Sequence, residues 1–264
     1  MSDSFAHRHV PTEYSEQVAE AVARQRLGSH RATYRPARPS PAVQRSDVVT
    51  MSVLLAVLVS AGIALTRTSP GLLLVFLPPV AVLLLFRILR ERHNRSTRKN
   101  AGLHLYEHGL VVVVGGKLRA MRWDTMTVYQ NIGRYHTFGR SNRIKHAYTL
   151  RDREGQEVTI REGFPNPEDW GPRIQQAVTE AQLADALIAL RAGKTMPFGS
   201  FLVSRSGVAA GRKQVSWSQV QGVHTMQGLV RVEAAGKPTD LTGNPVWMFP
   251  NLQLFTALVE QLRR

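Results

Sequence analysis

The chain has 264 residues, with 34 lysines and arginines against 19 acidic side chains and no cysteine. The missing cysteine excludes a disulfide framework, a cysteine-ligated metal centre and a thiol nucleophile. A formal charge of +15 favours anionic partners, but charge and apolar residues are unevenly divided along the chain.

Residues 1–47 form a polar arm, read as partly disordered. Residues 15–27 carry the spacing of a short helix, with Val18, Ala21, Val22 and Leu27 on one face and Gly28 ending it. Arg35-Pro-Ala-Arg-Pro-Ser-Pro41 continues as an extended linker. Residues 48–66 hold no charge and would span about 28 Å as a helix, close to a bilayer core of about 30 Å. A second uncharged run begins at residue 71 and reaches residue 89 if Arg87 snorkels. The expectation is a two-helix transmembrane hairpin, 48–66 and 71–89. Ser52, Ala56, Ser60 and Ala64 make a stripe of small residues on which the second helix could pack. Pro78-Pro79 would kink the second helix. Arg87, Arg90, Arg92, Arg95, Arg98 and Lys99 follow, within and just before a basic juxtamembrane linker at 90–100. Together with Arg31, Arg35, Arg38 and Arg45, they place both termini on the cytoplasmic side by the positive-inside rule.

Beyond residue 100 the pattern changes to strands. Leu103 and Leu105 alternate with polar neighbours, Glu107-His-Gly109 turns, and an apolar run covers 110–114. Gly115-Gly-Lys117 is a second turn, and Trp123 heads the next strand. Tyr148 and Leu150, then Val158 and Ile160, read as a hairpin around Arg153-Glu-Gly155. A helix follows, with Asn166 as cap, Pro167 first, Glu168 and Asp169 at its positive end and Gly193 past its close. The order then recurs: a turn at Arg205-Ser-Gly207, another at Gly211-Arg-Lys213, Trp217 heading a strand, and a final helix from about Pro250. Gly109 and Trp123 correspond to Gly207 and Trp217. The units run over 101–193 and 194–264, the second being the shorter.

Two motif pairs carry a resemblance. They are Leu105-Tyr-Glu-His-Gly-Leu110 with Arg122-Trp-Asp-Thr-Met126, and Ser206-Gly-Val208 with Trp217-Ser-Gln-Val220. The pattern resembles tandem bacterial pleckstrin-homology-like domains. More broadly, over roughly residues 25–264, the chain resembles bacterial membrane proteins that join a two-helix hairpin to such a cytoplasmic region. The resemblance implies an α+β fold: the hairpin, then two small antiparallel β-barrel-like units, each closed by a C-terminal helix. It implies a bacterial cytoplasmic membrane location, and it transfers no activity.

The residues offer little chemistry. His104 and His108 are four apart in strand-and-turn context, where that spacing does not align metal ligands. Asp124 reads as a solvated strand residue. No phosphate loop, dinucleotide fingerprint or nucleophile elbow occurs. Trp123 and Trp217 occupy equivalent positions, which favours core packing. The second unit has no counterpart of residues 131–146, which read as a loop carrying Arg134, Tyr135, Phe138, Arg140, Arg143 and Lys145. Basic and aromatic side chains without acids suit anionic lipid headgroups or a protein partner. Nucleic acid is disfavoured, since no stacking platform accompanies them. The reading is a membrane-anchored, non-enzymatic binding or scaffold protein without cofactor or metal. The alternative is an assembly subunit that binds another membrane protein.

Overall fold

The computed structural model describes residues 12–36, 85, 89, 101–137, 140–161, 164–236 and 241–264. Contacts divide the chain into two units: Met1–Arg35 with Gly102–Arg264, and Pro36–Ala101. In the second unit only Leu85, Leu89 and the two flanking positions Pro36 and Ala101 are described. The two apolar runs, the stripe Ser52, Ala56, Ser60 and Ala64, and the basic residues Arg87, Arg90, Arg92, Arg95, Arg98 and Lys99 all lie outside the described residues. The transmembrane hairpin and the integral cytoplasmic-membrane location are corrected here: among the described residues no helix is long and apolar enough to cross a membrane.

The first unit opens with helix α1 (Thr12–Gln25) and strand β1 (His30–Tyr34). Strands β2 (Gly102–Tyr106), β3 (Gly109–Val114) and β4 (Lys117–Arg122) complete an antiparallel sheet in the order β1-β2-β3-β4. Tyr34 lies opposite Leu103, so residues 36–101 are inserted between two directly paired strands. The composition sets the arm apart from the first domain, yet β1 supplies an edge of its sheet. The pairing of β1 with β2 spans nearly 70 residues of sequence, and β1 itself (His-Arg-Ala-Thr-Tyr) has little apolar alternation to announce it.

The apolar run in β3 has a physical reason. Leu110 and Val112 face the main core, while Val111 packs under Val18 of α1 and Leu27. Both faces of the strand are covered, so alternation is lost. Arg122 donates to the carbonyls of Gln25 and Arg26, capping the end of α1, and Asp124 holds its guanidinium at 2.9 Å.

A second sheet follows, β5 (Thr127–Thr137), β6 (Arg140–Arg151) and β7 (Glu157–Ile160), and then helix α2 (Pro167–Arg191). The same series then repeats. Strands β8 (Met196–Phe198), β9 (Phe201–Val203), β10 (Gly207–Ala210) and β11 (Lys213–Ser216) form a four-stranded sheet. Strands β12 (Val220–Met226), β13 (Leu229–Ala234) and β14 (Leu241–Pro245) form a three-stranded one. Helix α3 (Leu252–Leu262) closes the series. The shorter second repeat thus has the same strand set as the first. The expectation of β-barrels is corrected: among the described residues the strands form four separate antiparallel sheets, and no barrel closes.

The repeats share details that only a common fold explains. The Trp123 indole N–H donates to the Tyr106 carbonyl at 3.1 Å, and that of Trp217 donates to Ser204 at 3.1 Å. Both rings are buried in their cores. Trp217 lies in a three-residue 3-10 turn, Trp217–Gln219, rather than in the strand itself. Asn166 and Asn251 both adopt the left-handed conformation immediately before a helix, and neither side chain caps that helix. Helix α2, about 37 Å long, serves both cores. Trp170, Ile174 and Val178 enter the first, and Ala186 and Leu190 the second.

One clamp ties the early strand to the rest of the first repeat. The Tyr34 hydroxyl donates to Asp169 Oδ2 at 2.6 Å, and Arg173 Nε donates to Asp169 Oδ1 at 2.8 Å. Burial and then the bond to Asp169 push the Tyr34 phenol up to about 12. The two donors hold the Asp169 carboxyl below its usual range. Tyr34→Phe is expected to destabilise the protein by about 1.5 kcal/mol at neutral pH, the value of a hydrogen bond to a charged group. Because the folded-state pKa of Asp169 is depressed, this contribution is complete above the ordinary carboxylate pKa. It is lost as pH falls through the lower, folded value. Urea titrations of both proteins at pH 7 and pH 2.5 check it: the difference should shrink at the lower pH.

Candidate functional site

The β5–β6 hairpin is the feature that distinguishes the two repeats. Pairing runs from Thr127 opposite Arg151 to Thr137 opposite Arg140. Strand β7 covers only residues 148–151 of β6. Beyond Tyr148 the hairpin is a two-stranded ribbon, about 20 Å from Asn131 to Thr137. In the second repeat the corresponding hairpin closes early, at Gln227 and Gly228, both with positive φ, as a tight two-residue turn requires. The segment read as a loop is therefore paired strand on both sides of a short tip.

The register puts the basic residues of this segment on both faces of the ribbon, Arg134 on the face of Ile132 and Ile144, and Arg143 and Lys145 on the other. Arg134 lies opposite Ile144, Tyr135 opposite Arg143, and Lys145 opposite Gly133, with Arg140 next to the tip. Lys145 is exposed. Phe138 lies outside the described residues. No Asp or Glu occurs between Asp124 and Asp152. Two residues that sequence reasoning passed over join this set. Ile132 and Ile144 fall on one face of the ribbon and are 47% and 51% exposed. That face continues the core face of the sheet, where Val128, Tyr148 and Leu150 are buried. Alternation through Val128, Gln130 and Ile132 was the available signal.

The ribbon is rooted firmly. Gln130 accepts a bond from Gln175 of α2 at 2.7 Å. Arg151 donates to the Tyr129 hydroxyl at 3.1 Å and lies over its ring. The open edge of β5 is stapled by Asn251 from the second repeat. The Asn251 backbone N–H donates to the Val128 carbonyl at 2.9 Å, and its Oδ1 accepts the Val128 N–H at 2.7 Å. Gln182 of α2 completes the seam, donating to the carbonyls of Trp123 and Met126 at 2.7 and 2.8 Å. A shallow cleft with room for little more than one water lies there, lined by Val128, Gln130, Gln175, Thr179, Asn251 and the first residues of α3. Its lining holds no ionisable side chain to serve as a general acid or base.

The two histidines singled out in the sequence lie apart from the ribbon tip. Thr33 Oγ1 lies 3.0 Å from His104 Nδ1 and 2.7 Å from His30 Nε2. Burial, then His30 and Arg35, push His104 down to about 4. His108 sits in the β2–β3 turn. Among the described residues no group of three or more His, Asp or Glu is placed to hold a metal. Asp124 is engaged with Arg122, as described above.

Comparison with known families adds one finding. The model of a family of unknown function (DUF6585) matches residues 11–264. The chain belongs to this family. No curated protein matches it. The DUF6585 match takes in α1 and β1 as well as both repeats. It thus agrees with a first repeat that starts before the insertion. DUF6585 membership carries no activity to this chain, so the functional reading rests on the residues themselves.

Proposed function

We propose that this DUF6585 protein is a non-enzymatic binding module whose basic ribbon engages an anionic lipid surface. The observation that supports this reading is the ribbon's extension beyond its sheet, in one repeat only, with Arg134, Arg140, Arg143 and Lys145 and no acid. Packing within the first repeat does not call for that extension, since the second repeat folds without it. Each cation near an anionic surface contributes about 1 kcal/mol, and the contribution fades within a Debye length. The aromatic residues of this stretch of sequence, Tyr135 and Phe138, are of the type that suits the headgroup region.

Flotation of the full chain with vesicles tests the reading. Phosphatidylglycerol-containing vesicles should recover more protein than phosphatidylcholine vesicles, and 0.5 M salt should abolish the difference. The variant R134E/R140E/R143E/K145E should lose the preference. Equal recovery on both compositions by the unaltered protein would overturn it.

A further inference from the structure

The protein has four tryptophans. Trp123, Trp170 and Trp217 are buried, and Trp247 is 56% exposed. Trp247 sits in a 3-10 turn, Val246–Met248, that packs beside β5. The Val246 N–H donates to the Gly228 carbonyl at 2.8 Å, which seats this turn against the β12–β13 turn carrying Met226. Met226 and Met248 are each 45% exposed. Asn251 binds β5 at Val128, and Ile132 lies four residues further along that strand. The turn with Trp247 and Met248 thus adjoins both the β12–β13 turn that carries Met226 and strand β5, which carries Ile132 and pairs with the strand of Ile144.

We infer that these side chains form one interfacial surface, with Trp247 as the residue that enters the headgroup region of an anionic bilayer. The inference rests on the ribbon reading above and extends its contact into the second repeat. Charge supports a lipid occupant. The three segments that meet here, 125–151, 213–232 and 241–259, contain no Asp or Glu. A carboxylate at such a surface would be repelled by anionic headgroups. Shape supports it as well. The apolar side chains sit on turns and a ribbon, which project, whereas a peptide is held in a groove. Trp offers an apolar body with one N–H donor, a combination that suits the membrane–water interface. Met and Ile supply apolar area without charge.

Trp247 also provides the readout. The full chain is mixed with phosphatidylcholine vesicles, or with vesicles that also contain phosphatidylglycerol. Both carry the same fraction of lipid brominated on its acyl chain. Bromine should quench the unaltered protein more strongly on the anionic vesicles, and W247F should lose that extra quenching. W247A should lower anionic-vesicle partitioning about tenfold, with an unchanged unfolding midpoint. Identical quenching of the unaltered protein and W247F would overturn the inference. If the charge reversals in the ribbon still abolished flotation, the ribbon reading would survive that result. If the unaltered protein showed no anionic preference in flotation, both would fall. A blue shift of Trp247 with polyglutamate but not with anionic vesicles would reassign the surface to an acidic polypeptide and overturn the lipid inference.

Discussion

Alanine at Gly207 is expected to pull apart the β10–β11 pair, and alanine at Gly109 the β3–β4 pair, at a cost of about 3 kcal/mol each. A Cβ on Gly207 would lie 2.1 Å from the Val215 carbonyl oxygen and 3.0 Å from Ser216 Cα. On Gly109 it would lie 2.2 Å from the Met121 carbonyl oxygen, 2.6 Å from Leu27 Cδ2 and 3.0 Å from Arg122 Cα. The atoms met are mostly backbone of the paired strand, and strand backbone has no rotamer through which to yield. Neither glycine has positive φ, so the requirement is for space rather than for conformation. Gly116→Ala is the control. Gly116 has φ +76° and nothing within 4 Å of an added Cβ. It should cost only the left-handed penalty of about 1–2 kcal/mol. Urea unfolding of the three variants should rank Gly109 and Gly207 together, above Gly116. Equal costs at all three would mean that the glycine–strand contact is not the reason for the residue.

That same contact explains why the repeat was legible. A glycine forced by close strand approach, followed by a tryptophan whose N–H must find a carbonyl, leaves an order of residues that survives even when the strand lengths between them differ. Features set by long-range pairing were not legible. Strand β1 is short and polar, and its partner lies beyond the inserted segment, so no local pattern marks it. The pattern reads as a loop because Asn131 and Lys145 on one face and Ile132 and Ile144 on the other are all exposed, and apolar alternation records burial of one face only. Its pairing is imposed from the root, where Tyr148 and Leu150 are fixed in the core, and carried outward by register. The closed barrel came from family resemblance, and the four separate sheets correct it. Trp247 went unremarked because a single tryptophan beside prolines has no periodicity to declare whether it is buried.

Trp170→Ala should destabilise the protein by about 3–5 kcal/mol, at least as much as either glycine change. Trp170 is fully buried in the first turn of α2, edge-on to Tyr148 with centroids 5.1 Å apart. The next residue is Gly171, and a Cβ there would lie 2.4 Å from the Tyr148 hydroxyl oxygen. The Tyr148 ring thus rests directly on the helix backbone, with Trp170 as its side wall. Trp170→Phe should cost far less. The indole N–H is buried with no hydrogen-bond partner among the described residues, so losing it removes a desolvation penalty of about 1–3 kcal/mol that offsets the lost area. Tyr148 lies opposite Gln130, and Ile132 opposite His146 is the next pair outward on the same face, where the exposed ribbon begins. Removing the side wall should therefore loosen the ribbon's root before the second repeat is affected. Amide exchange over residues 128–150 should accelerate in Trp170→Ala while residues 220–234 keep their protection, and Gly207→Ala should show the reverse. Uniform acceleration across both repeats in Trp170→Ala would mean that α2 couples the two cores into one cooperative unit, and that the ribbon has no local root of its own.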